Sequence, residues 1–122
     1  MIKFRSAKPL LSFCLLSISL ALPAHAQSAK EQREARIIDT ARQSAQLAGG
    51  ARFCRVDNET IDEFIGLTDA RIAVLARDDY EKVLGKLEFK NMLTAHSAKM
   101  PKGGCETLIA RFNAVMRNPN QR

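Results

Sequence analysis

Tryptophan is absent from this sequence, and tyrosine occurs once, at Tyr80. A chain so poor in broad aromatic side chains lacks the platforms common in carbohydrate-binding clefts. Histidine is nearly as scarce, with only His25 and His96. The cysteines, Cys14, Cys54 and Cys105, stand far apart, and neither CxxC nor HxxxH occurs, so the convergent ligand set of a structural zinc site is missing. Carboxylates are plentiful, but no segment shows the alternating acidic pattern of an EF-hand. GxSxG, Walker-type and dinucleotide fingerprints are absent too. No metal and no cofactor is expected. Alternation of polar and apolar residues between turns, the mark of a strand, is likewise not found, nor is an internal repeat.

Long hydrophobic runs are also missing, and the one apolar stretch that exists is short. It extends from Leu10 to Leu22, 13 residues where a spanning helix needs about 20. Lys3, Arg5 and Lys8 precede it, and Ala24-His25-Ala26 follows as a small-x-small site. This order is that of a secretory signal over residues 1–26, with a mature start at Gln27 and a periplasmic or secreted destination. Cys14 lies within the apolar stretch behind Phe13, which is the wrong position for a lipid anchor. No integral span is expected once the signal is cleaved.

Cleavage changes the charge balance. The full chain holds 19 basic and 13 acidic residues; the signal carries three of the basic ones, which leaves a net charge of +3 on residues 27–122. So mild a basicity, without a nucleic-acid motif, excludes nucleic acid as the expected partner. The 96 residues that remain suit a single domain with a modest core, of the size that exported proteins often supplement with a disulfide.

What is present is helical periodicity. After a polar lead over 27–30, Ile37, Ile38, Ala41, Ala45 and Ala48 mark a small-residue helix face, and Gly49 and Gly50 then suggest a bend or restart. Asp57 and Asn58 are good N-caps for a second helix with the stripe Ile61, Phe64, Ile65, Thr68, Ile72 and Leu75. Asp78 or Asp79 would cap a third, and Met100 to Gly104 make a loop. A fourth helix carries Cys105, Leu108, Ile109, Phe112, Val115 and Met116 at three-four spacing until Asn118 and Pro119 stop it. The expected fold is all-α: a small four-helix bundle or an irregular helical array, stapled by one disulfide.

Four readings are open to Cys105 beside its two glycines: a reactive thiol, a metal ligand, a lipid attachment point, which its position far from the cleavage site excludes, or half of a disulfide. Companion ligands are lacking, and Cys105 is in phase with Leu108, Ile109 and Phe112, so it points inward. An even cysteine count after signal removal, in an oxidising compartment, predicts a Cys54–Cys105 disulfide. Paired-carboxylate hydrolysis finds Glu59, Asp62, Glu63 and Asp69, but these sit on the polar side of the second helix, as a solvated face does. No catalytic residue is expected, and the protein is read as not an enzyme.

The third helix holds two apolar sets on opposite sides. Tyr80, Val83, Leu84 and Leu87 form one; Gly85, Phe89, Met92, Leu93 and His96 form the other. Either the helix kinks near residues 85–89 and buries both, or Phe89, Met92 and Leu93 stay partly exposed and bind a partner. Charge is also uneven: residues 27–81 carry −3 and residues 82–122 carry +6. Lys82, Lys86 and Lys90 stand four apart on one face, either as a solvated face or as a site for an acidic partner. Lys82, Lys86, Phe89, Lys90, Met92 and Leu93 are therefore the candidate partner-binding residues.

Two functions follow as expectations. One is an exported protein that works by binding another envelope or exported protein, as an inhibitor, an immunity-type protein or an accessory subunit of an envelope or secretion assembly. The other is a small periplasmic holdase responding to acid or unfolding stress. In architecture and cysteine count alone, the chain is similar to the acid-stress chaperones of enteric bacteria. That likeness matches no motif and carries no site residue with it.

Overall fold

A computed structural model describes residues 25–120, with side chains from residue 28 onward. Four helices follow one another: α1 (His25–Phe53), α2 (Asn58–Leu75), α3 (Asp79–Ser97) and α4 (Gly104–Arg117). No strand occurs among the described residues. Most of the signal-like segment lies outside them, and the segment over 27–30, expected as a polar lead, is part of α1.

Local chemistry sets the helix ends. The Asp57 carboxylate accepts from the Thr60 N–H at 3.0 Å and starts α2, while the Asp78 carboxylate accepts from the Glu81 N–H at 2.7 Å and starts α3. At the end of α1, Arg55 takes a left-handed conformation with φ 59°. Its N–H donates to the Arg52 carbonyl, and the Val56 N–H donates to the Ala51 carbonyl. This is a Schellman motif with arginine where glycine is usual. Gly103 and Gly104, both at φ 83°, turn the chain into α4.

Pairs between helices give their directions. Arg33 meets Glu81 and Arg42 meets Glu88, so α1 and α3 run parallel with an offset of nearly constant length. Phe64 meets Phe112 at a ring separation of 5.3 Å, and Arg71 meets Pro119, so α2 and α4 are parallel to each other. The connections are short and the order is up-down-up-down, as in a bundle. The bundle is not square, however: α1 is its spine, touching all three other helices, and α3 lies closest to it.

That closeness explains the glycines. Gly49 and Gly50 do not end and restart α1, which continues through both to Phe53. A Cβ at Gly49 would stand 2.5 Å from the His96 Cβ, and one at Gly50 would stand 2.6 Å from the Leu108 Cδ1. On α3, a Cβ at Gly85 would stand 2.6 Å from the Ile37 Cγ2 and 2.7 Å from the Ile72 Cγ2. Gly49 on α1 and Gly85 on α3 thus each make room for the other helix, near opposite ends of the contact. Between them Ala41, Ala45 and Ala48 are fully buried.

The core gathers Ile37, Leu47, Ile61, Phe64, Ile72, Phe89, Leu93, Leu108 and Phe112 around this spine. Cys54 and Cys105 are joined with a Cα–Cα distance of 5.5 Å. The bridge fastens the C-terminal end of α1 to the first turn of α4.

Candidate interaction surfaces

Which side of α3 faces the core is decided by the buried residues Glu81, Gly85, Phe89 and Leu93, spaced by four. α3 is one uninterrupted helix from Asp79 to Ser97 that buries one of its two apolar sets and exposes the other, so neither arrangement expected for it occurs. Phe89 and Leu93 are buried, Met92 is half-buried, and all three serve the core. They are withdrawn as partner-binding candidates. Tyr80, Val83 and Leu87 instead turn outward, exposed by 64, 63 and 55%.

The lysines expected to share that site divide. Lys82 is half-buried and donates to the Asp79 carboxylate at 3.3 Å within its own helix. Lys86 and Lys90 are exposed, and neither forms an ion pair among the described residues. At 100° per residue they fall beside Val83 and Leu87, along one flank of the outward apolar stripe. Glu88, toward the other flank, is already paired with Arg42 of α1. The Lys30 ammonium, paired with Glu34 at 3.6 Å, stands 6.0 Å from the Tyr80 ring centre at the N-terminal end of the stripe.

α3 is held by a buried carboxylate that its residue pattern did not announce. Glu81 is completely enclosed. The Arg33 Nε donates to its two carboxylate oxygens at 2.9 and 3.1 Å, and the Arg77 N–H donates at 2.8 Å. The Arg33 bonds first, and then the Arg77 N–H, hold the Glu81 carboxyl below its ordinary pKa against the opposing effect of burial. The Arg33 guanidinium is raised in turn, chiefly by the same hydrogen bond. Since the carboxylate sits in the first turn of α3, it also complements that helix's dipole.

A second surface lies between α2 and α4. These helices touch at Phe64 and Phe112, then leave an apolar trough of about 370 Å³ toward their C-terminal ends. Leu67, Val74, Leu75, Val115, Met116 and Pro119 line it. Val74 is 84% exposed and Leu67 43%. The Arg71 Nη2 donates to the Pro119 carbonyl at 2.9 Å, drawing the chain end across the trough. Arg71 and Leu75 also form one wall of a polar cavity of about 560 Å³, which Thr40, Gln43, Ser44 and Arg111 help to line.

Glu59, Asp62 and Glu63 are exposed on α2, with Asp62 4.0 Å from Arg52. His96 sits over Gly49 at the α1–α3 contact, and Cys105 is bonded to Cys54. Among the described residues, no three His, Cys, Asp or Glu side chains group so as to hold a metal, and no helix is long and apolar enough to cross a membrane. The trough was missed in the sequence because Leu67 and Val74 fall outside the α2 core stripe. Their signal was that they are apolar and off-phase.

Family models, curated proteins and solved structures were compared with the chain, and none of them matches.

Proposed function

We propose that this is an exported binding protein that docks an acidic partner protein on the outward face of α3, without catalysis. One observation carries it: Tyr80, Val83 and Leu87 form an exposed apolar stripe on an uninterrupted helix, and Lys86 and Lys90, which form no ion pair among the described residues, lie along its flank. An apolar centre bordered by cations fits a partner whose own apolar ridge is edged with carboxylates. Inhibitor, immunity-type protein and accessory subunit of an envelope or secretion assembly are the roles such a module fills. Export to the periplasm or beyond belongs to the same proposal and rests on the basic, apolar and small-x-small order of residues 1–26. Its check is the mass of the exported protein, which should begin at Gln27.

The docking test uses substitutions at exposed positions, which spare the core. Leu87→Asp, and Lys86→Glu with Lys90→Glu, should each abolish recovery of a specific partner from the envelope fraction while leaving the thermal melt unchanged. Partner recovery by wild type should fall as salt rises, because the lysines contribute through screened charge. Recovery that is indifferent to both sets of changes rejects this face as the docking site.

An acid-responsive holdase is the second reading, and Glu81 favours it. Protonation of this enclosed carboxylate would release Arg33 and the start of α3 together. Such a protein should loosen in strong acid and then suppress aggregation of an unfolded client. Remaining folded and inert there would dismiss it.

A further inference from the structure

The trough between α2 and α4 and the polar cavity beside it share one wall, the helical turn that carries Arg71 and Leu75. Taken together they form an amphipathic site. The trough offers Leu67, Val74, Val115 and Met116 to an apolar chain. The cavity offers the Thr40 and Ser44 hydroxyls as hydrogen-bonding groups and Arg71 and Arg111 as cations, while the Gln43 amide already donates to the Asp39 carboxylate at 2.8 Å. Each volume falls in the range of roughly 300–1,000 Å³ usual for small-molecule sites.

Charge decides the ligand's head. No Asp or Glu lines either cavity. Among the described residues neither Arg71 nor Arg111 has a carboxylate within ion-pair distance. Arg71 spends one donor on the Pro119 carbonyl, a neutral acceptor, which holds the guanidinium at the seam while leaving its charge uncompensated and its other donors available. An anion at that seam would gain charge-assisted hydrogen bonds from a positioned guanidinium. Meanwhile Val74 and Leu67 keep apolar surface in water that an apolar chain would cover.

We infer that the α2–α4 site binds a small single-chain amphipathic anion, of the fatty-acid carboxylate class, with its chain in the trough and its head at Arg71 and Arg111. This site is separate from the α3 face, so its failure and that of the docking proposal are distinguishable.

The test titrates the disulfide-intact protein with monomeric dodecanoate, followed by amide NMR shifts and calorimetry. Two probes with the same chain, dodecyl maltoside and dodecyltrimethylammonium, serve as comparisons. Saturable dodecanoate binding is expected, with shifts centred on Leu67, Val74, Val115 and Met116. The neutral and cationic probes should bind about tenfold more weakly or worse, the loss expected when a charge-assisted bond to the head is removed. Arg71→Gln should weaken dodecanoate by a similar factor, as should Arg111→Gln, which leaves the Pro119 contact intact. Val74→Asp, at a position too exposed to disturb folding, should abolish binding. Equal binding of all three probes overturns the inference, as do shifts that centre on Tyr80, Val83 and Leu87 or a titration that never saturates. A ligand-free dimer in sedimentation that Val74→Asp dissociates would also overturn it, since a second copy would then fill the trough.

Discussion

At Gly66, midway along α2, nothing stands within 4 Å of where a Cβ would lie, whereas at Gly49 the His96 Cβ would be 2.5 Å away and its backbone carbon 2.9 Å. Both glycines are helical and share the same intrinsic cost relative to alanine, about 1 kcal/mol. Only at Gly49 does packing outweigh that cost. Gly66→Ala should therefore raise stability by about 1 kcal/mol, close to the full propensity gain. Gly49→Ala should lower it by about 1–3 kcal/mol, the usual range for overpacking against atoms that cannot give way. Midpoints of urea unfolding at constant slope measure both. A gain at both positions would show that α1 and α3 have slack at their contact.

At the level of elements, α2 and α4 were legible because each has one apolar stripe at three-four spacing and a clear N-terminal or C-terminal signal. α1 does not restart at Gly49 and Gly50 as their propensity suggests, since helix propensity records what a glycine loses and is silent on which helix approaches it. In α3 two apolar sets competed, and periodicity ranks them equally. Gly85 grouped with Phe89 was the usable clue, but the deciding partners, Arg33, Ile37 and Ile72, lie 13 or more residues away. For the same reason the periodicity does not say that Phe89 and Leu93 are buried while Val83 and Leu87 face outward. The trough was illegible because it depends on α2 and α4 diverging beyond Phe64 and Phe112.

The bridge between α1 and α4 is an element-scale device. α4 buries only Leu108 and Phe112 completely and keeps Cys105, Ile109, Val115 and Met116 half-covered. The cysteines are 51 residues apart, for which loop-closure entropy amounts to about 4 kcal/mol. The double change Cys54→Ser with Cys105→Ser should thus cost about 2–4 kcal/mol. Loss should also be uneven. Hydrogen exchange in α4 should accelerate far more than in the glycine-packed α1 and α3, whose contact does not use the bridge. Uniform acceleration across all four helices would instead mean that α4 unfolds only with the whole domain.

For the molecule as a whole, two groups couple folding to acidity, and their signs agree. Glu81 has a folded pKa below its unfolded value, so its contribution is complete above about pH 4.3 and is lost as pH falls through the folded value. His96 is lowered as well, first by burial and then by the Lys99 charge. An imidazole with a lowered folded pKa imposes no penalty above about pH 6.5 and a growing one as pH falls below it. Stability should accordingly be level at neutral pH, decline modestly below the ordinary histidine range, and fall again in strong acid. His96→Gln should remove the first decline. Glu81→Gln should be less stable at neutral pH, because it leaves the half-buried Arg33 beside a neutral amide, and should lack the second decline. Denaturant midpoints measured across this pH range for the three proteins separate the two groups. If Glu81→Gln keeps the wild-type fall in strong acid, acid sensitivity resides in other carboxylates, and the α1–α3 ion pair is a packing feature without a part in any acid response.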